Sequence, residues 1–447
     1  MGVVIESSVW EPNPSLFIFI FFACLLSILL LSYATKSASS SPFHLGVSPS
    51  FLRFKRNFLL IYSLASAIEG FWSVFGEFEW SYYGMNREQM LLILSVGFGG
   101  SLIIGTTLGV LSDILGQKKM ALIFCTLHLF VGAWKRLTAH PSLWLASVFL
   151  SVASSIFSFS FETWMVLEHE KQGHRQELLN DTFWLMTFFE SASLIGSQSL
   201  ANLSVLSVGK TGLASSFGAT IWLAVVSIIC ISWLSKEPSQ VVEVANRKMP
   251  YASILHDKRI WLLAYTQASV HFSVTVFWIL WAPTLVADGR EVHLGLIYPC
   301  LLGARMLGSS IFPWVIGGSS LRTEDCLLYA FIVSGLAVFI ISYDYQEIGT
   351  LVSLFCVFHA CIGIILPSLA RLRTMYVPNE LRGGMISLSA APANAAILLF
   401  LWQGGYYRNV GNSAVMALAA AGLFSSAACM HFLKRLGKQP YSNWHKS

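Results

Sequence analysis

Charge is what this sequence lacks. Lys, Arg, Asp and Glu make up 11% of its 447 residues, where a soluble domain carries roughly 25%. A water-soluble protein with one large core is excluded on that ground. The eight cysteines (Cys24, Cys125, Cys230, Cys300, Cys326, Cys356, Cys361 and Cys429) fall mostly inside apolar stretches. They show neither paired metal-ligand spacing nor the framework of a disulfide-stapled domain, and they read as small buried hydrophobes. A Walker phosphate loop is missing too. Four residues must separate Gly from Gly-Lys-Ser/Thr, whereas six lie between Gly109 and Gly116, and Gln117 follows. No nucleophile–base pair stands out, so neither an enzyme, a cofactor nor a metal centre is expected. Met1–Pro14 carries Glu6 and Glu11 but no basic residue. A secretory leader is basic there, and a myristoylation signal needs Ser or Thr where Glu6 stands.

Apolar residues are what the chain has instead, 55% of the total. They fall into blocks of about 20, the length that crosses ~30 Å of hydrocarbon as a helix. The expected class is an all-α polytopic membrane protein. Residues 15–34 read as an uncleaved anchor helix with the N-terminus on the non-cytosolic side. Twelve further spans are predicted near 57–79, 89–111, 120–138, 143–166, 180–204, 213–234, 260–283, 294–316, 325–343, 348–369, 385–406 and 412–433, about 13 in all. Alternation with Arg53, Lys55 and Arg56 on the cytosolic side places about 21 Lys/Arg there and about six opposite, as the positive-inside rule wants. Lys135 and Arg136 run against it, and Arg305 falls inside a span. The C-terminus is then cytosolic. The basic residues follow membrane sidedness, so the lipid bilayer is the expected partner and nucleic acid is not.

The longest connection among the twelve, residues 236–259, is polar and charged. It divides the chain into an anchor and linker (1–50), a six-helix half (51–235), the central loop, a second six-helix half (260–434) and a tail (435–447). Two six-helix halves about a midplane site is the plan of a transporter that rocks one half against the other. Gly105-Thr-Thr-Leu-Gly109 adds the small-xxx-small spacing that lets helix backbones approach closely.

Gly109-Val-Leu-Ser-Asp-Ile-Leu-Gly-Gln-Lys-Lys119 closely resembles the loop between the second and third spans of the major facilitator superfamily, G-x-L-[SA]-D-x-x-G-[RK]-[RK]. The resemblance implies the superfamily's fold and a conformational latch, with Gly109 and Gly116 shaping the loop, Asp113 as its acid and Lys118 and Lys119 as basic partners. Gln117 occupies a position that is usually basic. The equivalent loop of the second half, Gly308–Arg322, has no aspartate. Arg371–Gly384, with Val377-Pro378 and Arg382-Gly383, resembles the superfamily's V-P…R-G pattern, although an ordinary basic cytosolic loop reads equally well.

More closely, the chain resembles a divergent member of the eukaryotic molybdate-anion transporter family. Tyr62-Ser-Leu-Ala-Ser66, Gly97-Phe-Gly-Gly100, Phe161-Glu-Thr-Trp164 with Glu168-His169, Gln267-Ala268, Trp281-Ala-Pro283 and Leu307-Gly-Ser-Ser310 carry the likeness. It departs at Gly70–Phe75, at His271 where that family has Glu, and at Arg305 where a small or apolar residue is expected.

An ionisable side chain in mid-span costs roughly 2.5–3.5 kcal/mol on insertion scales and usually faces a cavity or a partner. Glu69, Glu162, His271 and His359 each fall in one of the first, fourth, seventh and tenth spans, the four that line the cavity in the superfamily's fold. Alternatives stay open for each: packing for the histidines, and a helix-end contact beside Glu168 and His169 for Glu162. Arg305 offers the fork-shaped donors that a tetrahedral oxyanion needs, or else pairs with Glu190 or Glu69. His128 and Glu190 read as packing or pairing residues. Glu69 and His271 are placed to exchange protons near neutral pH, which would couple a proton to the anion.

The leading expectation is a secondary transporter that moves a small anion such as molybdate. A sugar or organic-solute carrier, with Trp72, Trp278 and Trp281 stacking on its substrate, is the second. A non-transporting membrane sensor or scaffold is the third. Asn202-Leu-Ser204 is a sequon close to the predicted bilayer edge.

Overall fold

The computed structural model describes residues 14–38, 49–138, 141–172, 176–206, 212–234, 257–286, 292–318, 322–343, 347–406 and 411–437. Most of the expected central loop 236–259 and of the tail 435–447 lies outside the described residues. Among the described residues the chain is helical throughout, in thirteen rods. They are α1 (Pro14–Ala38), α2 (Pro49–Tyr82), a continuous rod of α3 (Arg87–Gly100), a π turn (Ser101–Gly105) and α4 (Thr106–Leu115), then α5 (Gln117–Leu137), α6 (Leu143–Lys171), α7 (Gln176–Leu206) and α8 (Gly212–Leu234). The second set is α9 (Lys258–Leu285), α10 (Leu294–Gly318), α11 (Thr323–Ile341), α12 (Ile348–Tyr376), α13 (Arg382–Tyr406) and α14 (Asn412–Leu436).

Nine of these rods are long and apolar enough to cross a bilayer, counted among the described residues, and α1 and α8 contribute shorter apolar stretches, Pro14–Leu30 and Phe217–Trp233. The remaining two, α2 and α7, carry Glu69 and Glu190 mid-helix. With lipid on the outside there is little hydrophobic drive between helices, so close packing decides the contacts. The expected close approach has two faces. A Cβ on Gly105 would meet Ser155 Oγ of α6 at 2.6 Å, and one on Gly109 would meet Ser387 Cβ of α13 at 2.0 Å.

Local signals set the breaks. Gly116 has φ +95°, a conformation that favours glycine, and separates α4 from α5. The Asp257 carboxylate caps α9 by accepting the Arg259 N–H at 2.8 Å. Pro49 opens α2, a favoured place for proline, so the helix starts eight residues before the predicted 57. The basic cluster Arg53–Arg56 therefore extends a helix rather than a linker. Pro378 ends α12, and one 3₁₀ turn (Asn379–Leu381) leads into α13.

Two hydrophobic cores divide the bundle. One is built on Phe58, Phe124, Phe159 and Phe161 of the first half. The other is built on Phe277, Phe331, Phe355 and Phe358 of the second. Ala370 and Ile386 of the second half belong to the first core, so the halves interlock at the end of the bundle that holds Asp113. The anchor has an unexpected place: α1 lies on α10 of the second half. Cys300 Sγ donates to Phe17 O at 3.0 Å, and Gly303 leaves room for Phe21 and Cys24.

Candidate functional site

The polar residues of the bundle gather along the seam between its halves. At the Asp113 end, the Asp113 carboxylate accepts the backbone N–H of Gly383 at 3.1 Å and of Gly384 at 2.8 Å. These are first-turn amides of α13, which a regular helix leaves without an acceptor, and a carboxylate also complements the positive end of the helix dipole. Gln117 Nε2 donates to Asp113 Oδ1 at 3.2 Å and to Ser112 Oγ at 2.9 Å. The residue that replaces the usual cation thus orients the acid. Lys118 lies elsewhere, its ammonium 5.9 Å from the Trp164 ring centre, and Lys119 is exposed. Ser387 Oγ adds bonds to Gly105 O at 3.2 Å and Thr106 O at 3.3 Å, where the π turn loosens the regular ladder.

Deeper at the same end sits a buried ion cluster. Glu162 of α6 accepts from Arg373 Nε at 2.9 Å and from Arg382 Nη2 and Nε at 2.8 and 3.2 Å, with a further bond from Arg373 Nη2. Arg373 also donates to Gln267, and Arg382 to Ala370 O. Arg382 is fully buried and Arg373 is 4% exposed. The helix-end contact with His169 is not what holds Glu162, nor are these two arginines part of an ordinary basic loop. Both guanidiniums turn inward across the seam. Arg382 stands in the V-P…R-G pattern, so the signal was in the sequence; Arg373 had none beyond its place beside it.

A second ion pair lies nearer mid-bundle. Arg305 Nη2 donates to Glu190 Oε1 at 2.8 Å, and Tyr62 Oη donates to Glu190 Oε2 at 2.8 Å. Arg305 is 6% exposed. Its Nε is buried without a hydrogen-bond partner among the described residues. Glycines fix the backbone that carries it: a Cβ on Gly363 would meet Arg305 O at 2.2 Å, and one on Gly308 would meet Ala360 O at 1.9 Å. Of the two partners expected for Arg305, Glu190 is the one present. Glu69 bonds His128 Nε2 at 3.1 Å instead.

His271 and His359 fall into different surroundings. His271 Nε2 bonds Asn394 Oδ1 at 2.9 Å, Asn394 Nδ2 donates to Ser101 Oγ at 3.2 Å, and Ser101 bonds Ser155. This chain runs from α9 through α13 and the π turn to α6, across the seam. His359 is 1% exposed and boxed by Phe277, Trp278 and Phe358 at 4.7, 4.9 and 5.4 Å. Neither ring nitrogen has a hydrogen-bond partner among the described residues. Trp278 in turn touches Trp281 and Tyr298. The five candidate residues therefore do not form one cluster: Glu69, Glu162, His271 and Arg305 occupy four separate polar contacts, three of which cross the seam, and His359 sits in the aromatic box. Tyr62, Gln267, Asn394 and Ser101 join the site without having been singled out for a role, because a hydroxyl or amide in an apolar helix carries no spacing signal.

Two helical halves joined by polar contacts along one seam define a multi-pass membrane transporter of the major facilitator type. The chain belongs to the family described as sugar transporters with twelve transmembrane spans, whose model matches residues 16–348. It is similar to a molybdate-anion transporter of Xenopus laevis, 24% identical over 420 residues and covering 91% of each chain. A molybdate-anion transporter of Xenopus tropicalis is also 24% identical, over 428 residues and 93% of each chain. Among solved structures, a bacterial homologue of the iron transporter ferroportin in an outward-facing state superposes with a TM-score of 0.68 at 14% identity. That match covers 85% of this chain and 99% of the other.

Proposed function

We propose that the protein is a secondary transporter that carries a small oxyanion, molybdate foremost, by alternating access between its two halves. The observation that carries this reading is Arg305, a buried guanidinium at mid-bundle held by a carboxylate of the opposite half. A guanidinium presents paired donors that match carboxylate and tetrahedral oxyanion alike. Glu190 then occupies the site in the empty carrier, and the arriving anion replaces it. The likeness to molybdate-anion transporters supports the choice of anion.

The contacts at the Asp113 end act as the gate in this cycle. Asp113 with Gly383 and Gly384, and Glu162 with Arg373 and Arg382, hold that end shut. Positive-inside counting places it on the cytosolic side. Glu69 and His271 remain the candidates for a coupled proton, since each pairs with a neutral or titratable partner rather than with a fixed cation.

One observation favours a second cargo. Trp278, Trp281 and Tyr298 form a contiguous aromatic wall beside His359, the kind of surface on which a sugar ring stacks. Uptake into proteoliposomes of labelled molybdate, sulfate and a sugar panel, with and without a pH gradient, separates the readings. Saturable molybdate uptake that disappears in Arg305→Ala supports the first. Saturable sugar uptake with no oxyanion uptake replaces it, and no uptake of anything points to a sensor or scaffold.

A further inference from the structure

On the outer flank of the second half, α9 and α14 pack tightly and then splay. Ser273 Oγ donates to Ala419 O at 3.1 Å, a Cβ on Gly422 would lie 3.7 Å from Ser269, and Tyr265 Oη bonds Ser425 Oγ at 2.7 Å. Beyond Tyr265 the helices part into a wedge of about 640 Å³, lined by Lys258, Trp261, Leu262 and Tyr265 of α9 and by Cys429, Phe432, Arg435 and Leu436 of α14. On each helix those positions recur every three or four residues, so each lines the wedge with a single face. Arg259 Nη2 closes the outer end by donating to Leu436 O at 2.8 Å. The wedge is thus walled at both ends and open sideways, toward lipid.

Its walls and mouth differ in chemistry. Trp261, Tyr265 and Phe432, between 47% and 57% exposed, make an aromatic trough. Lys258 and Arg435 stand at the helix ends over it, on the side of the bundle that holds Asp113. The neighbouring charges are engaged elsewhere: Lys434 bonds Asp325 at 2.6 Å, and the Asp257 carboxylate is turned onto the α9 N-terminus. Neither Lys258 nor Arg435 has an ion-pair partner among the described residues.

We propose that this wedge binds one anionic phospholipid, with an acyl chain along Trp261, Tyr265 and Phe432 and the headgroup phosphate against Lys258 and Arg435. Charge complementarity selects the occupant. A purely apolar partner would leave both cations at the mouth idle, and a zwitterionic lipid would bring its own cation to them. Basic pockets between helices on the cytoplasmic side are suited to such headgroups.

Native mass spectrometry of the full-length protein, titrated separately with phosphatidylglycerol and phosphatidylcholine of matched chains, tests it. Expected is retention of one phosphatidylglycerol in preference to phosphatidylcholine. The affinity should fall about thirtyfold in the double variant Lys258→Gln/Arg435→Gln, the worth of two basic groups at a bilayer surface. Lys171→Gln, the loss of one positive charge on the first half at the same end, should leave it unchanged. Equal retention of both lipids overturns the proposal. So does a double variant that binds like the wild type, displacement of the lipid by millimolar inorganic phosphate, or a wedge that takes up no lipid at all.

Discussion

Replacing Glu162 by Gln removes the carboxylate that holds two buried guanidiniums. Breaking a buried ion pair from one side costs about 3–5 kcal/mol, because the remaining charge stays buried and uncompensated. Gln still offers one acceptor oxygen, so the lower figure applies, about 3 kcal/mol or a factor of about 150 in an equilibrium. In the proposed cycle the cost falls on one conformation. Arg373 and Arg382 belong to the second half and Glu162 to the first, so the cluster exists only while the Asp113 end is shut. Once that end opens, water reaches the arginines and the penalty disappears. The amides of Gly383 and Gly384 report the change, since in the closed end they donate to Asp113 across the seam. Hydrogen exchange measures such opening free energies directly. In Glu162→Gln, exchange at these two amides should speed up about a hundredfold, while amides in the middle of α11 keep their protection. If Gly383 and Gly384 stay protected and only global stability falls, the cluster is a static brace and not part of a gate.

Three other outcomes follow from the same contacts. Gly109→Ala places a Cβ 2.0 Å from Ser387 Cβ and should cost about 1–3 kcal/mol by overpacking, read as a lower Tm; Ser387→Gly in the same chain should recover most of it. His359→Phe removes two ring nitrogens that lack partners in an aromatic box and should raise Tm, by at most the ~1–3 kcal/mol of one unsatisfied polar group. Loss of transport in a well-folded His359→Phe would instead place this histidine on the substrate. Arg305→Lys keeps the charge but loses the fork, so the apparent KM for the anion should rise about tenfold, the worth of one charge-assisted bond of ~1.5 kcal/mol; an unchanged KM would remove Arg305 from the anion site.

Hydrophobic blocks made the helices legible in advance, because a membrane helix must satisfy its backbone internally and so announces itself by length. Glycine spacing likewise pointed to the face of Gly105 and Gly109, since a missing Cβ is visible in any sequence. The contacts of charged residues were harder to read. Glu162 and Arg373 are 211 positions apart, and only the folded seam brings them together. Arg305 could be flagged as an intramembrane charge, but the choice of Glu190 over Glu69 depends on the rotation of α7 and α2 about their axes. Asp113 was read from its motif, whereas its bonds to Gly383 and Gly384 involve backbone amides, which every sequence contains and none advertises. The position of α1 on α10 was equally hidden, because an apolar helix names no partner.

In the proposed cycle, which pairs cross the seam separates moving parts from scaffolding. Lys135 and Glu79 form a buried pair at 2.6 Å, with Lys135 4.7 Å from the Trp72 ring centre. Both belong to the first half, so a rocking motion leaves that pair intact, and it serves to hold α5 against α2. Glu162 with its two arginines, and Glu190 with Arg305, are divided differently: every carboxylate is on the first half and every guanidinium on the second. In the proposed cycle this asymmetry gives the anion its leverage. A carboxylate that swings away leaves a buried cation, which is costly unless another acceptor arrives. An oxyanion supplies one with matching geometry, whereas a neutral sugar supplies only dipoles. In the proposed cycle the Arg305 guanidinium, once Glu190 leaves it, is therefore the group that an oxyanion satisfies and a neutral sugar does not.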